Sequence, residues 1–250
     1  ANNGGDTNEA FATLKHALSV ATTGDTIYLG SGTFEEVAPL TVPAGVSVIG
    51  QGLRATQLKP TAATRTNDFF LLNGEVTIEN LTVREIEWDG SSGYAFQYAS
   101  NALVTRRSAY LRHITVLNFG SSVRLGTNAA DDPYGYDAAD AGRGIKIDGS
   151  ILNSSSIEAA MLFDSVTLIV PNAKGIEITE GARAEWLNSF IYFASQGIEG
   201  VAGTTGIYGD GKTYIEFDSV TNGPYQAGED VVFTLTDGST TATATIESVN

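Results

Sequence analysis

Apolar residues recur at helical spacing only near the start of the chain. Phe11, Leu14, Ala17, Leu18 and Ala21 follow that spacing, Thr7 or Asn8 stands where an N-cap belongs, and Gly24 closes the segment. The pattern predicts one capping helix within residues 1–24. Beyond Gly24 the period falls to two. Thr26-Ile27-Tyr28-Leu29, Leu40-Thr41-Val42 and Val46-Ser47-Val48-Ile49 are short strands punctuated by Gly, Asn and Asp.

Internal similarity decides how such strands are arranged. A six-residue pattern recurs: apolar, polar, turn-forming, apolar, usually Thr, apolar. It runs Ile78-Glu79-Asn80-Leu81-Thr82-Val83, Leu111-Arg112-His113-Ile114-Thr115-Val116 and Phe163-Asp164-Ser165-Val166-Thr167-Leu168. Looser copies are Leu187-Asn188-Ser189-Phe190-Ile191-Tyr192 and Phe217-Asp218-Ser219-Val220-Thr221. Residues two apart in a strand share a face, so an apolar pair three apart requires a bend between its members. Asn80, His113, Ser165 and Ser189 occupy the bend, and such residues tolerate turn geometry. The copies are offset by 33, 52, 24 and 30 residues, the 52 being close to two periods of 26. One bend every 24–33 residues is what each coil of a parallel β-helix needs. Roughly seven or eight coils stacked at about 4.8 Å give a rod about 35 Å long, its open end covered by the helix. A second motif marks the next strand of a coil: Gly175-Ile176-Glu177-Ile178, Gly197-Ile198-Glu199, and Gly120 before Ser121-Ser122-Val123-Arg124-Leu125.

Two stretches break the rhythm. Residues 126–144 are polar, Gly- and Asp-rich, and predict a surface insertion in the repetitive region 25–221. Residues 222–250 form a separate small β module. Val231 to Leu235 and Thr241 to Val249 flank Asp237-Gly238 as a hairpin, and the end directly after a strand suggests a fragment of a longer protein.

Composition narrows the partners. The chain has 250 residues, 29 Asp and Glu against 14 Lys and Arg, and a net charge of −15. Such a surface is repelled by nucleic acid and by anionic membranes, so neither is expected as a partner. No apolar run approaches the length of a membrane span. The absence of Cys excludes disulfides and thiolate metal sites, and two His exclude a His-rich metal centre.

From Asn8 to Pro60 the chain carries Gly24-Asp25-Thr26-Ile27, Gly32-Thr33-Phe34, Val42-Pro43-Ala44-Gly45-Val46 and Ile49-Gly50-Gln51-Gly52. This stretch resembles the first coils of pectate-lyase-like right-handed β-helix proteins, a group that includes carbohydrate-active enzymes and viral tail proteins. The resemblance implies a fold rather than an activity. A second likeness covers about the last 110 residues. The run ADAGRGIKIDGS at 139–150, Ala159-Ala160-Met161-Leu162-Phe163, ARAEWLNSFIYFASQGI at 182–198 and Gly209-Asp210-Gly211-Lys212-Thr213 is similar to virion structural proteins of tailed marine bacteriophages, especially cyanophages. It implies a tail or fibre location, extracellular when mature, and partners among other virion proteins, copies of the chain or host glycans. It brings no catalytic residue. The expected fold is all-β: a single-stranded right-handed parallel β-helix with an N-terminal helical cap and a C-terminal β-hairpin module.

The alternative is a polysaccharide lyase or glycoside hydrolase. Hydrolysis needs two carboxyl groups on one surface, and a lyase of this fold would combine carboxylate-held Ca²⁺ with an Arg or Lys base. Asp131, Asp132, Asp137, Asp140 and Asp148 are the catalytic candidates, with Arg143 and Lys146 nearby. Asp131, Asp132 and Asp137 are also the candidate Ca²⁺ ligands, although their spacing is not that of an EF-hand. No spacing there matches a known motif, and Asp is ordinary in turns, so the composition favours a solvated loop and no cofactor. His16 is expected on the helix surface and His113 at a bend. Exposed aromatics offer faces for sugar rings: Trp88, Tyr94 and Tyr98 are the candidate glycan contacts. Phe190 and Tyr192 share one face of another strand, as a sugar or subunit surface or as core. A bacterial adhesin of the same fold is a third class, distinguished by a signal or wall anchor.

Overall fold

The computed structural model describes residues 4–5, 10–98, 109–119, 141–148, 161–179, 182, 184–200, 230–234 and 241–245. They divide into two units, residues 1–213 and 214–250. The first unit holds one α-helix, α1 (Leu14–Val20), which starts later than the pattern predicted. Thr13 is the N-cap, extended at φ −139°, and its side chain accepts the His16 N–H at 3.1 Å. Leu14, Ala17 and Leu18 are buried, while His16 is exposed as expected. The N–H groups of Leu14 and Lys15 donate to the carboxylate of Glu36, at 2.6 and 3.1 Å. Glu36 is buried, so an otherwise costly charge satisfies the first turn of the helix and ties it to the strands.

The chain then makes six similar passes through three stacks of strands. The first pass is β1 (Thr26–Leu29), β2 (Gly32–Glu36) and β3 (Leu40–Val42); the second is β4 (Ser47–Gly50), β5 (Thr56–Pro60) and β6 (Phe70–Leu72). In the next three passes the first two strands fuse into one bent strand. These are β7 (Thr77–Arg84) with β8 (Tyr94–Tyr98), β9 (Tyr110–Leu117) with β10 (Arg143–Asp148), and β11 (Met161–Ile169) with β12 (Lys174–Thr179). The sixth pass is β13 (Ala184–Leu187), β14 (Phe190–Tyr192) and β15 (Gln196–Gly200). Every strand pairs parallel with its counterpart in the next pass, giving a nine-stranded and a six-stranded parallel sheet. The second unit contains β16 (Asp230–Thr234) antiparallel to β17 (Thr241–Thr245), the pairing expected of its hairpin.

The bends stand side by side. Glu79 pairs with Arg112 and Arg112 with Asp164, while Leu81 pairs with Ile114 and Ile114 with Val166. Asn80, His113 and Ser165 lie between those partners at φ 58°, 49° and 58°. One left-handed residue turns the strand and lets Leu111 and Ile114, three apart, both face inward at 0 % exposure. In the sixth pass the bend is Asn188 at φ 48°, not Ser189. Asp164 pairs with Leu187 and Thr167 with Phe190, one residue short of the expected register. Ser189 instead accepts the Val166 N–H on its hydroxyl at 2.8 Å.

The 52-residue interval also resolves differently. Tyr110 pairs directly with Leu162, so the interval is one pass carrying extra chain rather than two periods. The described residues make six passes. The strand between β8 and β12 is β10, and its Gly144-Ile145-Lys146-Ile147 takes the place of the second motif in that sheet. Residues 120–125 and 217–221 lie outside the described residues. The surface insertion is also shorter at its end than 126–144, since Ala141, Gly142 and Gly144 are buried and β10 starts at Arg143.

Inside the stacks, like positions lie on like positions. Phe70, Phe96, Ile145 and Ile176 form one inward ladder, continued in register by the exposed Ile198, with the Phe70 and Phe96 rings 5.2 Å apart and 3° from parallel. Asn118, fully buried, joins three passes at the second bend. Its N–H donates to Ile169 O at 3.0 Å, its Oδ1 accepts Ile86 N at 3.1 Å, and its Nδ2 donates to Arg143 O at 3.3 Å. A buried amide satisfied in this way stabilises the bend instead of penalising it.

Candidate functional site

The predicted sugar contacts and the predicted basic residues meet beside the third stack. Trp88 lies between β7 and β8, Tyr94 opens β8, and Arg143 opens β10 directly opposite Tyr94. The Arg143 guanidinium carbon is 3.5 Å from the Trp88 ring centroid, and the Trp88 and Tyr94 rings meet edge to face at 5.6 Å. Arg143 Nη1 donates to the Tyr94 hydroxyl at 2.8 Å and to Glu177 Oε2 at 3.4 Å. Lys174 Nζ donates to the same Glu177 oxygen at 2.6 Å and also pairs with Glu199. Lys146 stands 3.9 Å from Asp148 and 5.9 Å from the Tyr94 ring centroid. Three cations thus face three carboxylates on one outward surface.

This packing weighs against one of the expected sugar contacts, Tyr94. Tyr94 is 2 % exposed, and its ring and hydroxyl serve Arg143, so no pyranose can stack on it. One face of the half-buried Trp88 is covered by the guanidinium, a cation–π contact. Tyr98 belongs to β8, but its side chain lies outside the described residues. So do Asp131, Asp132, Asp137 and Asp140, and with them the Ca²⁺ candidate. Asp148 is half-buried beside Lys146. Among the described residues no group of three His, Cys, Asp or Glu is placed to hold a metal ion.

Lys174, Glu177 and Glu199 were not singled out from the sequence as site residues. Their signal is present in the Gly-Ile-Glu motif: with Ile176 buried, alternation sends Glu177 outward, and Glu199 stands beside it at matching register. Burial pushes the Glu177 carboxyl up, but the hydrogen bond and charge of Lys174, then Tyr94 and Lys146, outweigh it and hold the group below its ordinary value. Burial likewise opposes the charge on Lys174, yet Glu177 and Glu199 raise its amine. Tyr94 is raised well above the phenol range, chiefly by burial.

The sign of the resulting linkage follows directly. Glu177 is lowered on folding, so its contribution is present above the ordinary value of 4.5 and is lost as pH falls through the folded value. The wild type is expected to lose stability on acidification below about pH 4.5. Glu177→Gln should show a shallower loss in urea unfolding followed across pH 3–6; parallel curves would contradict this assignment.

A second polar column crosses the first stack. Arg112 lies 3.8 Å from Glu79 Oε1 and 3.8 Å from Asp164 Oδ2, and the Tyr110 hydroxyl donates to Asp164 at 3.4 Å. Two carboxylates flanking a cation have the outline of a hydrolase pair, but that chemistry needs one carboxyl kept protonated. Asp164 is held below its ordinary value, first by the Ser165 hydroxyl and then by Asn188, Tyr110 and Arg112, against the upward push of burial. Asp89 falls to about 2, held mainly by the backbone N–H groups of Ser92 and Ser91. Asp164 and Asp89 are thus both held toward the charged form.

Compared with protein-family models, curated proteins and solved structures, the chain matches none at a significant level, so its functional reading rests on its own residues.

Proposed function

We propose that the chain is a right-handed parallel β-helix module of a bacteriophage tail or tail fibre that contacts glycans on the host surface. The observation that carries this reading is the continuous parallel register of β7, β9 and β11 through the bends at Asn80, His113 and Ser165. A chain that visits three strand stacks in the same order on each pass winds as a solenoid. Parallel crossovers are right-handed in about 98 % of cases, which supports the right hand. The phage-like runs at 139–150 and 182–198 add the virion setting, with other virion proteins or further copies as partners. Stacked passes give a stiff support whose loops vary without disturbing the core, which suits a fibre. The net charge of −15 keeps such a module apart from nucleic acid.

The test is to offer the purified chain an array of bacterial surface polysaccharides and to assay the same glycans for new reducing ends and for unsaturated uronates. Binding with neither product is expected. New reducing ends would make the chain a hydrolase, unsaturated ends a lyase, and an array without binding would overturn the glycan-contact reading.

A further inference from the structure

We propose that the outward face of β14, carried by Phe190 and Tyr192, is the glycan-binding surface, and that it takes pyranose rings of a neutral polysaccharide. This rests on the glycan-contact reading above and moves the contact from Trp88 and Tyr94 to the sixth pass. Register sets the direction of the rings. Phe190 lies beside Thr167 and Tyr192 beside Ile169, while Ile191 between them packs against the core.

Three features separate these residues from core or chance. Phe190 is 58 % exposed and Tyr192 45 %, although the Thr167, Thr115 and Thr82 that precede Phe190 in its column are small and polar. The two rings are 6.2 Å apart and 20° from parallel, a pre-ordered pair that loses little freedom on binding. Phe193, next in the chain and 58 % exposed, adopts φ 62°, a backbone region where Asn or Gly is far less costly. Asn172, exposed and joined by its N–H to Phe193 O at 2.9 Å, brings a carboxamide to the same corner.

Aromatic faces pack against the C–H faces of sugar rings, and an amide beside them can bond hydroxyl groups. Charge selects the class of glycan. At −15 the chain repels an anionic polymer. A neutral glycan meets no such penalty.

The experiment is native affinity electrophoresis of the chain through gels containing soluble dextran, mannan, galactan or, as the anionic comparison, alginate. The wild type is expected to be retarded by at least one neutral glycan. F190S/Y192S should weaken that retardation at least tenfold, and Tyr192→Trp, which keeps a ring, should preserve it. Tyr28→Ser, which removes an exposed ring from the first pass, should change it less than twofold. Unchanged urea midpoints would show that the variants remain folded. Retention of binding by F190S/Y192S would overturn this site while leaving the glycan reading intact. So would equal losses in F190S/Y192S and Tyr28→Ser. Retardation by alginate alone would overturn the neutral class, and no retardation in any gel would overturn the inference, with the array then deciding the wider reading. A wild-type oligomer that dissociates in F190S/Y192S would make the face a contact between copies and overturn it as well.

Discussion

Phe96→Ala is expected to lower the free energy of unfolding by about 3–5 kcal/mol. The ring is fully buried and stacked on Phe70, with Ile145 on its other side in the inward ladder. Removing it leaves a void that a stack of short strands fills poorly, because each strand is held at fixed register by the passes above and below. The loss of transfer free energy and the residual cavity both count against the folded state. Phe190→Ala, on the outward face, removes the same side chain from an exposed position and should change stability by less than about 0.5 kcal/mol. Urea unfolding of the two variants separates core from surface aromatics, and equal losses would contradict the assignment of faces.

The second large effect is expected at Gly144. Its backbone is not in the left-handed region; glycine is required because the next pass comes so close. A Cβ there would run into the carbonyl oxygen of Gly175 and approach Leu168 Cδ1 to 2.9 Å. Gly175 stands in the same relation to the Gly197 oxygen. Backbone cannot move aside as a flexible side chain can, so Gly144→Val should cost about 3 kcal/mol or more by forcing β10 and β12 apart. The displacement would also pull Arg143 from Trp88, so a shift in Trp88 emission is expected to accompany the lowered urea midpoint. A variant as stable as the wild type would mean that these strands do not approach as described.

These two residues also indicate what the sequence could reveal. The bends were legible because a single left-handed residue leaves an apolar pair three apart, as at Leu111 and Ile114, a spacing that neither helix nor flat strand produces. The misplaced bend at Ser189 has a local cause: Asn188 and Ser189 are both small and polar, and only the pairing of Thr167 with Phe190 distinguishes them. Tyr110 and Leu162 pair directly across 52 residues, and an insertion longer than a pass imitates a missing period. Gly142, Arg143 and Gly144 looked like loop because glycine usually marks turns, whereas here both glycines permit close contact with Ile86 and Gly175. The burial of Tyr94 escapes the sequence for a related reason. Nothing local to Trp88 or Tyr94 reveals that Arg143, brought in by register, fills the space beside them.

The account depends on the chain returning to the same column with each pass. A chain with no cysteine allows a clean test by cross-linking. Thr115 and Thr167 are register neighbours on the outward face, about 4.8 Å apart and within disulfide reach. Thr82 and Thr167 share the column with one strand between them, about 10 Å apart. On mild oxidation, T115C/T167C is predicted to close an intramolecular disulfide, seen by mass spectrometry of the peptides, while T82C/T167C stays reduced. A T115C/T167C chain that stays reduced, or a T82C/T167C chain that closes, would contradict the stacked arrangement.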